Sequence, residues 1–270
     1  MWDSIQESAR YIRSKSEIKP ELGIILGTGL GGLTDNIEIE SEIHYRDIPH
    51  FPVSTVEGHA GSLILGTLAG KKVVAMKGRF HYYEGYSMRE ITLPIRVMIE
   101  MGINTLMVSN ASGGVNPEFE IGDIMMLTDH INLQPDNPLR GQNDDRLGPR
   151  FPDMSEPYDQ KIIDLTKRKA KELGITLRTG VYVSVPGPNF ETPAEYKMMH
   201  IMGGDTVGMS TVPEVLVGRH AGIRCVGLSI ITDLGVEGKI VPITHEEVQE
   251  VAAKSEKVLT KLVMAVIPEI

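Results

Sequence analysis

Residues 77–86 read Lys77-Gly78-Arg79-Phe80-His81-Tyr82-Tyr83-Glu84-Gly85-Tyr86, with an arginine, a histidine, three tyrosines and a glutamate in one short stretch. Arg79 offers a planar fork of N–H donors that matches the oxygens of a phosphate at two points, and His81 adds a further donor. Glu84, three positions on, can fix the tautomer of His81. If Tyr83 points the same way, its ring and hydroxyl can face a sugar. A metal reading of His81 with Glu84 is poor, because no second His/Asp/Glu cluster with ligand spacing supports it. His59, in Glu57-Gly58-His59-Ala60-Gly61, is open to either a structural or a binding reading.

Two further constellations carry chemistry. Gly27-Thr28-Gly29-Leu30-Gly31-Gly32 follows a short apolar run and satisfies G-x-G-x-x-G. A dinucleotide site also needs a helix directly after the glycines. Residues 34–44 instead alternate Ile37, Ile39 and Ile43 with Glu38, Glu40 and Glu42, a strand pattern that argues against a nicotinamide enzyme. An anion cradle of backbone N–H groups and the Thr28 hydroxyl fits better, and a turn needed only for packing is the competing reading. In Pro186-Gly187-Pro188-Asn189-Phe190-Glu191-Thr192-Pro193, proline and glycine stiffen the chain, so Phe190 and Glu191 are held at low entropic cost. A ring beside a carboxylate suits a flat heterocycle, though Glu191 also reads as an acid at a helix N-terminus. Asp233 stands just after an apolar run, where α/β folds place ligands. The sequence carries no G-x-S-x-G, H-E-x-x-H, Walker A or Cys–His pair, so no covalent protein nucleophile is signalled.

The elements that must position these groups alternate between strand and helix. Trp2, Ile5, Ala9 and Ile12 predict a first amphipathic helix. Strands are expected at 22–26, 105–109, 124–127, 181–185 and 225–231, with a hairpin of 62–68 and 72–76 about Ala69-Gly70-Lys71. Asn110-Ala111-Ser112-Gly113-Gly114 reads as a second strand-to-glycine turn. Helices are expected at 88–101, where Pro94 argues against an unbroken interior, and at 159–173, 194–202 and 212–221. The last helix starts at a capping box of Thr244 and Glu247, which puts His245 in its first turn. Between Asp129 and Pro157 the chain is polar and rich in Pro, Asn and Asp, as in lids or contact surfaces.

The chain has 270 residues, 41% hydrophobic and 23% charged, the balance of a globular protein with a sizeable core. No repeat, low-complexity tract or linker divides it, so one α/β domain over 1–270 is expected. Lys and Arg total 27 against 36 Asp and Glu; the net charge of −9 argues against nucleic acid or an anionic membrane as partner, so an anionic substrate needs a local basic pocket. Cys225 is the only cysteine, which forbids an intrachain disulfide and a Cys-rich zinc site and reads as a buried thiol in a reducing compartment. No signal-like or membrane-spanning run is present, and the expected location is the cytoplasm.

Taken together, these motifs resemble the trimeric, low-molecular-mass purine nucleoside phosphorylases, and the resemblance runs over nearly the whole chain. The 27–31, 58–61, 78–86, 110–114 and 187–192 motifs, Gly208-Met209-Ser210 and His245-Glu246-Glu247-Val248 occur in the family's order. The resemblance implies a single-domain, three-layer fold with a central mixed, barrel-like sheet surrounded by helices. It implies reversible cleavage of a purine nucleoside by inorganic phosphate, with no cofactor or metal, in a homotrimer. It places phosphate on Thr28, Arg79, His81, the Ala111 backbone and Ser210, with His59 beside it. Tyr83 and Met209 then meet the ribose and His245 its 5′-hydroxyl, while Phe190, Glu191 and Asp233 face the purine. Catalytic candidates are Asp233, as a donor near N7, and His81 with Glu84. Phe151 resembles the residue that reaches the neighbouring subunit's site. Asp233 departs from the Asn usual in members specific for 6-oxopurines and matches the related methylthioadenosine phosphorylases. Glu191, which suits N1–H of guanine or hypoxanthine, and His245, which suits a 5′-hydroxyl, pull back toward inosine and guanosine. The alternatives are a methylthioadenosine or adenosine phosphorylase and, more remotely, a nicotinamide oxidoreductase or a non-catalytic nucleoside-binding protein.

Overall fold

A computed structural model describes residues 1–27, 31–53 and 61–270. One sheet takes in all nine strands of these described residues: β1 (Leu22–Leu26), β2 (Glu38–His44), β3 (Ser62–Leu68), β4 (Lys71–Lys77), β5 (Thr105–Gly114), β6 (Ile124–Asn132), β7 (Leu177–Ser184), β8 (Thr206–Gly208) and β9 (Arg224–Leu234). The strand order β2-β3-β4-β1 forms an arm that runs into β5-β8-β7-β6-β9, and pairing of β9 back onto β5 closes those five strands into a mixed barrel. The fold is therefore mixed α/β, with helices around a barrel-bearing sheet. Closure protects both edges that an open barrel sheet would expose.

Strand β5 joins arm to barrel. Its first half pairs in parallel with β1, its whole length pairs in parallel with β9, and Gly113 and Gly114 pair antiparallel with β8. Side chains of β1 and of the first part of β5 are buried on both faces, as expected of parallel strands covered on both sides. Strands β1, β4, β5 and β9 are mutually parallel. Their carboxyl ends therefore share one edge of the sheet, where open α/β folds leave a crevice.

Six helices flank the sheet among the described residues: α1 (Trp2–Arg13), α2 (Met88–Met101), α3 (Gln160–Leu173), α4 (Pro193–Ile201), α5 (Val212–His220) and α6 (His245–Val266). Each of α2, α4 and α6 opens with a full capping box, from Ser87 and Glu90, Thr192 and Glu195, and Thr244 and Glu247. α2 runs unbroken through Pro94. Its residues from Ile91 to Met98 are buried, and packing of α2 against α1 and α5 outweighs the hydrogen bond that proline removes. None of the helices in the described residues is long and apolar enough to cross a membrane.

Several element boundaries differ from the sequence reading. Residues 110–114 are not a turn: β5 continues through them, with a bulge between Ser112 and Gly113 opposite β9. Strand β9 likewise runs past Ile231, so Asp233 is a strand residue. The three-residue β8 carries too short a pattern to read from sequence. A 3-10 turn at Gly31–Asn36, followed by β2, takes the place a dinucleotide fold would give to a helix. The β3–β4 turn has Ala69 at φ 48° and Gly70 at φ 82°, the positive pair that matches strand twist in a tight hairpin.

The core on either side of the sheet tolerates little loss of volume, in the arm as in the barrel. Replacing Ile24, fully buried in β1, by Ala is expected to cost about 2–5 kcal/mol. Urea denaturation at equilibrium checks this; a loss below about 1 kcal/mol would show that the arm is not part of the cooperative core.

Candidate active site

The shared edge of the parallel strands opens into a cleft with about 690 Å³ of empty space, measured out to its mouth. Arg79, His81 and Tyr83 line it from the segment after β4, Ala111 to Gly113 from the end of β5, and Asp233 from the end of β9. Met209 and Ser210 enter after β8, whose antiparallel pairing with the end of β5 brings them alongside residues 110–112. Phe190 and Glu191 come from the segment before α4, and His245 from the first turn of α6. Eleven of the sequence-predicted positions thus meet in one cleft: Arg79, His81, Tyr83, Ala111, Phe190, Glu191, Met209, Ser210, Asp233 and His245 line it, and Glu84 touches it through His81. Thr28 and His59 lie outside the described residues. Phe151 does not join the cleft; its side chain is 86% exposed on the irregular segment between β6 and α3.

Arg79 is 2% exposed. Its Nη1 donates to the Ser109 carbonyl at 2.6 Å and to Ser210 Oγ at 3.0 Å, and its Nε lies 3.1 Å from the Glu214 carboxylate. Glu214, on α5, is equally buried, so the pair carries its charges into the protein together. The backbone makes room for this side chain: a Cβ on Gly27 would strike the Ser109 carbonyl and meet Arg79 Nη1 at 3.0 Å. That glycine is required by close packing of β1 on β5, whatever else its turn does.

Ser210 is held by strain. Thr211 has φ 74° and ψ −55°, and Val212 N–H donates to the Ser210 carbonyl at 2.8 Å, a γ-turn of the rarer hand. A β-branched residue persists there only when its surroundings fix it. Asn110 Nδ2 donates to Thr211 Oγ1 at 2.8 Å, and Ser229 Oγ donates to Asn110 Oδ1 at 2.6 Å. Ser112 Oγ lies 2.6 Å from Ser229 Oγ, which extends the network back to β5. The Ser210 N–H meets the buried hydroxyl of Tyr182 at 3.3 Å. Hydroxyls and amides from three strands therefore set the position of one serine.

His81 is fixed from two sides. Its backbone N–H donates to Glu84 Oε1 at 2.7 Å, and its Nδ1 lies 3.3 Å from the same oxygen. The Tyr83 ring stacks on the imidazole, with centroids 4.7 Å apart and planes 12° from parallel. Burial, with Glu84 close by, pushes the Tyr83 hydroxyl up to about 12, so it stays a neutral phenol. Gly187, at φ 65°, lies where any Cβ would run into Met209 and Tyr83. The stiff 186–193 segment thereby closes over the middle of the cleft.

At the other end stand two carboxyl groups. Glu191 precedes the Thr192 N-cap of α4 and so lies outside the helix. Burial pushes its carboxyl above the usual range, and the same cause raises Asp233. Thr232 Oγ1 donates to Asp233 Oδ1 at 3.0 Å. A Cβ on Gly113 would sit 2.9 Å from Asp233 Oδ2, so the glycine of the β5 bulge is what lets Asp233 lie across the strand end. Sequence reasoning missed Glu214, Thr211, Ser229, Thr232 and Tyr196. The strained turn at Thr211 left no trace; Glu214, Ser229 and Thr232 are polar residues inside apolar runs, a signal visible in the sequence but without an address, and Tyr196 reads as an ordinary helix residue between Glu195 and Lys197.

Residues 21–268 match the Phosphorylase superfamily, and the chain belongs to it. It is similar to purine nucleoside phosphorylase 1 of Bacillus subtilis (strain 168), 51% identical over 269 residues that cover 100% of this chain and 99% of that protein. Against purine nucleoside phosphorylase of Bos taurus the identity is 45%, covering 99% of this chain and 96% of the other. The crystal structure of Schistosoma mansoni purine nucleoside phosphorylase in complex with adenosine superposes with a TM-score of 0.94 at 43% identity, over 99% of this chain and 97% of that one. A schistosoma purine nucleoside phosphorylase in complex with hypoxanthine superposes equally well, with a TM-score of 0.94 at 42% identity and the same coverage.

The two raised acids have a consequence for stability. An acid whose folded value lies above its unfolded value binds more protons in the folded state, so stability falls as pH rises from the ordinary carboxylate range through the raised values. The D233N and E191Q variants should each flatten that decline and unfold at higher temperature than the parent at neutral pH. Melting temperatures across pH 4–8 in phosphate-free buffer check this; an unchanged slope would show that neither acid is destabilised by burial.

Proposed function

We propose that the protein is a purine nucleoside phosphorylase, which cleaves purine ribonucleosides and deoxyribonucleosides reversibly with inorganic phosphate to give the free base and ribose 1-phosphate or its deoxy analogue. The observation that carries this is the meeting, in one cleft, of an oxyanion end built on Arg79, Ala111 and Ser210 and a heterocycle end built on Phe190, Glu191 and Asp233. Full-length identity to named purine nucleoside phosphorylases supports the same reading.

The chemistry needs no protein nucleophile and no cofactor, since phosphate attacks the anomeric carbon itself. As the glycosidic bond loosens, the sugar takes on oxocarbenium character and the purine gathers negative charge. Arg79, the Ala111 N–H, Ser210 and His81 hold the phosphate, with Thr28 and His59 completing its surroundings. These fixed donors contribute through position, because their reorganisation is already complete in the folded state. Tyr83 and Met209 meet the ribose and His245 its 5′-hydroxyl. Glu191 pairs with the pyrimidine edge of the base, and Asp233, protonated, donates toward N7 and stabilises the leaving purine. Burial holds the Asp233 carboxyl above the usual carboxylate range, the direction that donor role requires. Inosine and guanosine are the favoured substrates, in purine salvage. Asp233 in place of an amide supports adenosine as the second reading, whereas His245 in the cleft disfavours a 5′-methylthio group.

The active form is a homotrimer of single-domain subunits in which Phe151 enters the neighbour's cleft. Its ring is exposed, with the Arg150 guanidinium 5.4 Å from its centroid, and so is open to contact from a neighbouring subunit. We place the protein in the cytoplasm, a reducing setting that suits a sequence whose only cysteine is Cys225.

Hypoxanthine release from inosine should require phosphate. The Arg79→Ala variant should raise the KM for phosphate about 100-fold or more, while Glu191→Ala should mainly raise the KM for the nucleoside. Exchange of these two phenotypes would overturn the orientation of substrates in the cleft. Sedimentation should give a trimer, and Phe151→Ala should lower kcat/KM while leaving the fold intact. A fully active monomer would overturn the shared site.

A further inference from the structure

Between Asn132 and Gln160 the chain forms no helix or strand, yet side chains fasten it at definite points. Arg89 Nη2, on α2, donates to the Arg140 carbonyl at 2.8 Å, and Arg150 Nη1 ties the segment to itself through the Leu139 carbonyl at 3.1 Å. A further fastener comes from α5. His220, the final residue of that helix, is 4% exposed, and its Nε2 lies 3.0 Å from the Pro149 carbonyl, two residues before Phe151. Gly148 is pressed on the same residue: at φ 142° its backbone lies where a Cβ would run into the His220 carbonyl. Two consecutive residues of the segment thus rest on the end of α5.

The partners on either side assign the imidazole proton. A carbonyl oxygen can only accept, so Nε2 carries hydrogen toward Pro149. Nδ1 faces the guanidinium of Arg96, 3.4 Å from Nη1 and 3.3 Å from Nη2, and a guanidinium can only donate. Nδ1 therefore presents its lone pair, and His220 is neutral with its proton on Nε2. Burial first, and then the charges of Arg96 and Arg150, hold the imidazole below the ordinary histidine value, which agrees with that state. Arg96 stands inside α2, 5% exposed, and its Nη atoms meet His220 rather than a carboxylate. A buried guanidinium set against an imidazole is a costly way to fill space. Here it fixes which imidazole nitrogen donates.

We infer that His220, with its proton placed by Arg96, is a positioning residue for the shared active site: it fastens residues 148–149 to the end of α5 and so sets where Phe151 stands. The inference rests on the reading of Phe151 as the residue that enters the neighbouring subunit's cleft. A ring with that task must be held before the subunits meet, because ordering its stem on contact costs entropy. α5 is suited to hold it. The helix is buried over most of its nine residues, a length of about 13 Å, and near its start it carries Glu214, the partner of Arg79. One rigid element therefore ties the phosphate end of its own cleft to the segment that completes the neighbour's.

The test is a double-mutant cycle on kcat/KM for inosine, at saturating phosphate, with H220N, H220Q and F151A. Asparagine places its amide where Nδ1 stands and reaches Arg96 but not Pro149, whereas glutamine places an N–H donor where Nε2 stands. H220N should lower kcat/KM about tenfold, and H220Q should keep it within about twofold of the parent. In the F151A background H220N should cost less than about twofold, because the ring it positions is already gone. A loss by the same factor with and without Phe151, an equal loss in H220N and H220Q, or a fully active H220N would each overturn the inference and leave the shared site standing. If H220N does not fold, G148A lifts the segment off α5 from the loop side. Its loss should likewise vanish in F151A, and an additive loss would overturn the inference. A parent that cleaves inosine and is unaffected by F151A would overturn the shared site along with the inference; a parent that releases no base would overturn the phosphorylase reading itself.

Discussion

A guanidinium buried to the last few per cent of its surface constrains this structure more than any other group. Arg79 cannot leave water without an opposite charge and donors satisfied in place. Glu214 supplies the charge and Ser109 and Ser210 the acceptors. Each requirement fixes a separate element. Glu214 demands that α5 begin within reach of Arg79, and the chain turns sharply at Thr211 just before that helix. Gly27 must lack a side chain so that β1, β5 and Arg79 can share one space. The strained turn, the Asn110–Ser229 hydrogen bonds and the glycine are thus consequences of one buried charge.

The same arrangement creates function by its direction. Four parallel strands end on one edge, and the ends of β4, β5 and β9 line the cleft there. Positive charge and N–H groups gather where β4 and β5 end, and carboxyl groups where β9 ends and α4 begins. A protein with a net charge of −9 thereby keeps a site for an anion, because the attraction is local and the acids are held at the opposite end. Asp233 can sit in the cleft only because the bulge in β5 carries a glycine beneath it.

Much of this was legible in the residues. The hairpin at Ala69-Gly70, the strand at Leu22–Leu26 and the helix capped by Thr244 are local patterns, written in turn residues, apolar runs and a capping box. The density of Arg79, His81, Tyr83 and Glu84 marked a site without showing what faced it. What could not be read were pairings between distant segments. Residues 110–114 look like a turn because glycines cluster there, but barrel closure draws them into strand pairing with β8 and β9. Pro94 reads as a breaker, yet burial on two sides carries the helix through it. Glu214 stands out as an acid in an apolar run, but only the fold reveals the buried guanidinium it faces. The resemblance to nucleoside phosphorylases supplied roles for the cleft residues; the network that holds those residues in place came from the structure alone.

The proposed phosphorolysis needs the ends of β4, β5 and β8 to form a prepared seat for a tetrahedral oxyanion against a sugar carbon. A crystal structure of the protein with inorganic phosphate and an unreactive nucleoside analogue tests this most directly. One phosphate is expected within hydrogen-bond distance of Arg79, the Ala111 N–H and Ser210 Oγ, with an oxygen facing the anomeric carbon. A phosphate bound elsewhere, or a sugar turned so that this carbon faces Glu191 and Asp233, would contradict it.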